Sequence, residues 1–250
     1  MRRRRLPLPP SSLRFMGDTD EGFLAFGEEV VAQLQEYAGL TPASYVVDVG
    51  CGYGRLAHGL LRWDGFKGRY LGMDILKPHV EWCQKNLRPH ARRRFSFQHL
   101  DIRNDRYNPA GTLQPTTVAL PTADSTADIA VLLSVFTHMY PDEVIHYLSE
   151  LRRIIAPNGR VNATMFLLNE DWAELDREDR CRYKLAHQLN EFTRFMDPEN
   201  PLHAVGYEET WVREQVAKSD LAIDGPILFG SWAGRTGVPT FQDTVILRRA

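Results

Sequence analysis

Three cysteines in 250 residues, Cys51, Cys83 and Cys181, are too few and too scattered for a disulfide framework, and none forms a CxxC metal pair. A reducing cytoplasm suits such a chain. No apolar run approaches the ~20 residues of a membrane-spanning helix, so a soluble protein without membrane contact is expected. Net charge is almost missing too. Thirty basic residues face 32 acidic ones, and the formal charge of −2 excludes a nucleic-acid binder that works by bulk charge. Repeats and low-complexity tracts are absent beyond the opening MRRRRLPLPP, which lacks the apolar stretch of a secretory signal. Residues 1–14 hold five arginines, Arg2, Arg3, Arg4, Arg5 and Arg14, and no acid. This leader is expected to be disordered, with an RNA or other acidic partner as the alternative.

What is present is enough apolar material, 43% of residues, for one sizeable core. Residues 22–37 carry Phe23, Phe26, Val30, Leu34 and Tyr37 at helical spacing. Strands are expected at 45–49, 69–73, 95–100, 128–135 and 160–166, separated by helices at 55–63, 78–87 and 141–155. Alternation of this kind means right-handed βαβ units and a parallel sheet covered on both faces. After a helix at 208–219, strands at 223–229 and 242–247 are expected to pair antiparallel at one sheet edge. The polar segment 168–204, broken by Pro198 and Pro201, fits a sheet poorly and is expected to cap the strand ends.

In such a sheet, ligands sit beyond the carboxyl ends of the strands, where strand order reverses. Three strand ends carry the residues for it: Gly50-Cys51-Gly52-Tyr53-Gly54, then Asp74, then Asp101. The glycines allow close backbone approach, the helix start behind them favours an anionic group, and Asp74 stands where a carboxylate accepts ribose hydroxyls. The ligand is therefore a nucleoside with something attached. The spacing is G-x-G-x-G, with Arg55 where a dinucleotide site needs its final glycine, which disfavours a nicotinamide cofactor.

Residues 46–55 (VVDVGCGYGR) resemble the first motif of class I S-adenosylmethionine (SAM)-dependent methyltransferases. The similarity continues through 70–75 (YLGMDI), 97–102 (FQHLDI), 128–139 (DIAVLLSVFTHM) and 151–160 (LRRIIAPNGR). The resemblance implies a Rossmann-like seven-stranded, mostly parallel sheet with an antiparallel last strand, helices on both faces and a small cap. It implies SAM as cofactor and S-adenosylhomocysteine (SAH) as product. Residues 1–40 would be the basic leader and an N-terminal helix covering the cofactor. Residues 41–250 would form the SAM-binding domain, with a cap insertion at about 168–204.

For matched positions it implies that Gly50, Cys51 and Gly52 contact the methionine part, with Ser134 beside it. Asp74 would hold the ribose, Ile75 the adenine face, and Asp101 with Ile102 the adenine edge. Arg14, Met16 and Gly17 resemble the stretch that folds over SAM, and either Arg14 or Arg55 would pair with the SAM carboxylate. His138, on the loop after the fourth strand, is the candidate general base, or else a hydrogen-bonding residue that shapes the acceptor pocket. Met139, Trp232 and Arg235 are candidate substrate contacts. Asp243 is either a second base or an ordinary strand-end polar residue.

Several motifs of other methyltransferases are missing: an Asp/Asn-Pro-Pro-Tyr sequence, a cysteine after the fourth or fifth strand, a carboxylate cluster for magnesium, and a basic aromatic stripe for RNA. The expected activity is O-methylation of a small hydroxylated acceptor, a natural product or sugar, with no metal. The alternatives are an RNA or protein methyltransferase, and a SAM-binding partner subunit without transfer activity.

Overall fold

The computed structural model describes residues 6–14, 19–91 and 93–250. The arginines at 2–5 and the expected cofactor contacts Met16 and Gly17 lie outside the described residues. The chain begins with α1 (Asp20–Tyr37), β1 (Tyr45–Val49), α2 (Arg55–Arg62), β2 (Arg69–Asp74), α3 (Lys77–Asn86) and β3 (Phe95–His99). It continues through β4 (Ala127–Leu132), α4 (Pro141–Ile154) and β5 (Ile155–Met165). Then come β6 (Leu167–Leu168), α5 (Glu170–Arg177), β7 (His187–Asn190), β8 (Thr193–Phe195) and β9 (Val205–Glu208). Last are α6 (Glu209–Lys218), β10 (Leu221–Ile223) and β11 (Asp243–Arg249).

Seven strands form one sheet in the order β10-β11-β5-β4-β1-β2-β3. β1 pairs in parallel with both β2 and β4, so strand order reverses there. β11 runs antiparallel between β5 and β10. The expected mixed sheet is present, but the last strand is interior, and the short β10 is the edge. Period-two alternation sorts the core into two layers. Val46 packs with Leu34, Leu56 and Leu60 of α1 and α2 on one face. Val47 and Val49 pack with Val144, Leu148 and Val212 of α4 and α6 on the other.

Local signals explain the helix starts. The Thr19 hydroxyl accepts the Gly22 N–H at 3.0 Å, and Asp20 and Glu21 in the first turn suit the helix dipole. In α4 the Glu143 carboxylate accepts the Tyr140 N–H at 3.0 Å, ahead of a first-turn Pro141. α1 and α2 cross where each carries a glycine. A Cβ on Gly59 would stand 2.3 Å from the Gly27 carbonyl oxygen, so any side chain there drives the helices apart.

Three expected boundaries differ. β4 stops at Leu132, because Ser134 turns the chain with φ +58° and donates its N–H to Thr164 Oγ1 at 2.8 Å. β5 starts at Ile155, before the Pro157–Gly159 stretch expected to separate it from α4, with a register shift opposite Ala127 and Ile129. The expected strand at 223–229 is reduced to Leu221–Ile223 plus a bridge between Leu228 and Thr244.

The segment 168–204 is also not sheet-free. With β9 it forms a second, four-stranded sheet in the order β6-β9-β8-β7. Its polarity belongs to the edge, where His187 and Gln188 are exposed, while Thr193, Val205 and Tyr207 in the inner strands are buried. A third apolar cluster, including Phe166, Trp172, Leu185 and Trp232, joins this sheet to the large one. Among the described residues, no helix is long and apolar enough to cross a membrane.

Candidate active site

The loop after β1 is built on three left-handed glycines, Gly50, Gly52 and Gly54, with φ of +76°, +51° and +84°. The N–H groups of Gly50 and Cys51 donate to the Met73 carbonyl at 2.8 and 3.0 Å, which ties the loop to β2. A Cβ on Gly50 would meet Val135 Cγ2 at 2.5 Å, whereas one on Gly52 would meet nothing within 4 Å. Gly50 is thus required by packing, and Gly52 faces open space. That space is a cavity of about 610 Å³ over the carboxyl ends of β1, β2 and β4.

Asp74 closes β2 with its carboxylate buried between two loops. Its Oδ2 accepts the Gly52 N–H at 2.7 Å and its Oδ1 the Leu76 N–H at 2.8 Å. Burial pushes its pKa up, and these amides pull the other way. Next to it His79 is lowered by burial, against the pull of the Asp74 charge. Asp48, on β1, accepts the Tyr70 hydroxyl at 2.6 Å, and burial raises it to about 7.

At the other end of the cavity, Ser134, Thr164 and Gln242 share one network. Thr164 Oγ1 accepts the Ser134 N–H, so its own proton goes to Gln242 Oε1 at 2.6 Å, and the Ser134 hydroxyl donates to the same oxygen at 2.9 Å. His138 sits on a short turn after β4, held by the Tyr207 hydroxyl, whose one proton points to the Met139 carbonyl at 2.5 Å, with the Phe136 carbonyl also 3.0 Å away. His138 Nδ1 lies 2.8 Å from the Leu202 carbonyl, which only accepts, so Nδ1 carries the proton and Nε2 keeps its lone pair. Nε2 is 3.5 Å from the Tyr107 hydroxyl. Burial, helped by the charges of Arg106 and His203, lowers His138 to about 4, so it is neutral at pH 7.

Of the residues expected from the sequence, Gly50, Cys51, Gly52 and Arg55 line the cavity. So do Asp74, Ile75, Ile102, Ser134, His138 and Met139. Four others are turned elsewhere. Arg14 pairs with Asp20 at 2.6 Å and donates to the Pro9 carbonyl at 2.9 Å. Asp101 is drawn into its own turn by Asn108 Nδ2 at 3.1 Å and Thr112 Oγ1 at 2.8 Å, and these bonds hold its carboxyl below the usual range. Trp232 is fully buried, its indole N–H on Asp243 Oδ2 at 2.8 Å. Arg235 pairs with Asp171 at 2.5 Å over the ring of Phe229. The last two brace β11 against α5 and do not reach the cavity.

Other wall residues carry no clear signal in the sequence: Gln242, just before β11, and Tyr107, in a turn-rich loop. The latter does belong to a turn, since Asn104 Oδ1 accepts its N–H at 3.0 Å, but its ring also lies edge-on to His138 at 5.3 Å. Tyr183 and His203 come from the small sheet's connections, where no periodicity marks them.

The buried acids set a pH dependence. Asp48 and Glu143 are raised to about 7, and Asp243 to about 6, each by burial. In the unfolded chain they ionise near 4, so the folded protein holds more protons between there and about 7, and stability is lost as pH rises through that window. His58 and His138, both lowered to about 4, act in the opposite sense, but chiefly below the unfolded histidine pKa of 6.5. Above it their effect fades, each still offsetting about 0.4 kcal/mol between pH 6.5 and 8. The ligand-free protein is expected to lose about 1 kcal/mol net between pH 6.5 and 8, a few degrees in Tm, with Asp48→Asn flattening the fall. A Tm that holds level or rises over that interval would contradict it.

A family model described as a methyltransferase domain matches residues 46–159. Among curated proteins, the tRNA N(3)-cytidine methyltransferase METTL2 of Gallus gallus is 25% identical over 128 residues, 51% of this chain and 31% of that protein. The chain therefore spans about a third of that relative's length. Among solved structures, a Pyrococcus horikoshii OT3 protein superposes with a TM-score of 0.61 at 17% identity, covering 96% of each chain. The Burkholderia thailandensis 1,6-didemethyltoxoflavin-N1-methyltransferase, with 1,6-didemethyltoxoflavin and SAH bound, superposes with a TM-score of 0.54 at 15% identity. It covers 92% of this chain and 80% of its own. At these identities the two structures share the fold.

Proposed function

Residues 46–159 form a methyltransferase domain of the class I SAM-dependent family, and from that premise we propose that the protein methylates a hydroxyl group of a small acceptor, a natural product or sugar. The observation that carries the choice of a hydroxyl is His138, whose Nδ1–H is spent on Leu202 while the Nε2 lone pair meets a hydroxyl at the cavity wall, that of Tyr107 at 3.5 Å, the contact an acceptor hydroxyl would replace.

The residues present fit the cofactor. Gly52 leaves open the space that a side chain would fill, and Asp74 presents a fixed carboxylate. Each Asp74 oxygen accepts one amide and keeps a further lone pair for a ribose hydroxyl. Ile75 and Ile102 offer apolar contact to the adenine, and Arg55, at the start of α2, is the guanidinium placed to meet the carboxylate. Bound SAM supplies an electrophilic methyl group on a sulfonium. His138 Nε2 takes the proton from the acceptor hydroxyl. Its low pKa makes it a weak base, which suffices late in the reaction, when the oxygen has become far more acidic. Phe166, Tyr183 and Phe241 form an apolar wall that keeps water from the acceptor.

His138→Ala is expected to cut transfer from labelled SAM to a panel of hydroxylated natural products and sugars by about 10²–10⁴-fold, with SAH affinity unchanged. The wild-type rate should show no inflection near pH 6.5, because the imidazole is already neutral. If SAH binding weakens in step with turnover, His138 belongs to the cofactor site and the base assignment falls. The curated relative supports a second reading, a tRNA acceptor. Label appearing in tRNA, and in none of the panel, would replace the first reading with the second.

A further inference from the structure

We propose that the acceptor carries an anionic group, a carboxylate or phosphate, bound by the guanidinium of Arg106 in the cavity wall. This rests on the small-molecule methyltransferase reading above and adds the charge of the substrate to it. Arg106 lines the cavity, and its Nε is buried with no hydrogen-bond partner among the described residues. No carboxylate among the described residues pairs with it. The neighbouring Asp105 is taken by Arg103 at 3.4 Å and by the Tyr140 hydroxyl at 3.4 Å. The acids that do line the cavity, Glu29, Asp48 and Asp74, belong to α1, β1 and β2. A guanidinium with a buried, unused N–H is a costly arrangement unless a ligand completes it, and its planar fork matches an oxyanion.

The turn that carries Arg106 is tied to His138. Asn104 Oδ1 accepts the Arg106 and Tyr107 N–H groups at 3.2 and 3.0 Å, and Asn104 Nδ2 donates to the His138 carbonyl at 3.0 Å. The guanidinium lies over the Tyr107 ring at 5.0 Å, and that ring meets His138 edge-on. The anion site and the proton-accepting nitrogen are therefore set by one turn, so the acceptor's hydroxyl and its anionic group stand at a defined separation. The rings of Phe166, Tyr183 and Phe241, with neighbouring centroids 5.4–5.5 Å apart, give a flat acceptor an apolar face. A phenol bearing an acid group is the simplest molecule that meets all three demands.

The test is calorimetry on SAH-saturated protein with three probes: 4-hydroxybenzoate, 4-hydroxyphenyl phosphate and the neutral methyl 4-hydroxybenzoate. The wild type is expected to bind at least one anion about tenfold or more tighter than the ester. The stronger anion distinguishes carboxylate from phosphate. Arg106→Gln should bring the preference to within about twofold, and Arg106→Lys should keep part of it. SAH affinity should be the same in all three proteins, which also shows that the variants fold. Absence of anion binding or of a preference in the wild type overturns the proposal, as does a preference that survives in Arg106→Gln. A parallel loss of SAH affinity overturns it too, since Arg106 would then hold the cofactor. Failure of the wild type to bind SAH at all would instead bring down the methyltransferase reading beneath it.

Discussion

Replacing Asp74 with alanine is expected to weaken SAH binding by about 10- to 100-fold, because a charged acceptor of the ribose hydroxyls is worth about 1.5–3 kcal/mol. The loss reaches beyond the ligand. The carboxylate also holds the Gly52 and Leu76 amides, one on each oxygen, so its removal frees the glycine loop from β2 on the side that faces the cavity. Asparagine is no conservative replacement at this position. Both oxygens already receive an N–H, and an amide must aim its NH₂ at one of those donors. Asp74→Asn should therefore fall close to the alanine variant rather than midway. Calorimetric titration of SAH into the three proteins decides the matter. An affinity that changes less than threefold in Asp74→Ala would mean that the ribose is held elsewhere.

The second large effect concerns stability. Asp243 Oδ1 accepts the Gly230 N–H at 2.7 Å, and its Oδ2 accepts the Leu167 N–H and the Trp232 indole N–H, each at 2.8 Å. Arg235 lies 3.6 Å away, and the carboxylate is fully buried. Burial raises its pKa to about 6, so the charge is expensive where it sits, and the donors around it offset that cost. Removing the carboxylate leaves the donors buried and unpaired. Asp243→Ala is expected to lose about 3–5 kcal/mol of unfolding free energy, a large part of the 5–15 kcal/mol typical of a whole protein. Urea denaturation would measure it, and a loss below about 1 kcal/mol would contradict the hub described above. Fully buried, held by three donors and outside the cavity wall, Asp243 is a structural group, and the alternative of a second base is set aside.

The two predictions differ in how far the sequence announced them. The place of Asp74 in the cavity wall was legible because strand alternation, a glycine turn and an acid at the next strand end are regularities of backbone geometry, and they stand in order along the chain. The seven-stranded sheet was legible for the same reason. Asp101 occupies the equivalent strand end, yet Asn108 and Thr112 take its carboxylate, and side-chain hydrogen bonding inside a turn leaves no periodic trace. Trp232 looked like a ligand contact because a large aromatic in a glycine-rich loop often is one. Nothing in the sequence shows that its indole closes on Asp243. Tyr183 and His203 reach the cavity only because the small sheet folds over it, a tertiary event between segments without a clear pattern. Arg106 was hidden differently: a charged residue in a polar loop is ordinary until the surrounding acids are seen to be engaged elsewhere.

The interior position of β11 has a consequence for how the molecule is made. A ribosome that has delivered β5 must add residues 166–242 before the strand that pairs with it begins, on the order of ten seconds of synthesis. Throughout that interval the outer edge of β5 is an open row of amides and carbonyls, and β10, whose only neighbour in the sheet is β11, has nothing to dock on. The glycine loop and Asp74 can stand complete early, since β1, β2 and β4 are already paired. The acceptor side waits for Gln242 and Asp243. The nascent protein therefore passes through a stage that is competent to hold the nucleoside but sticky along one edge, when a chaperone or an early-bound cofactor has most to contribute to its yield.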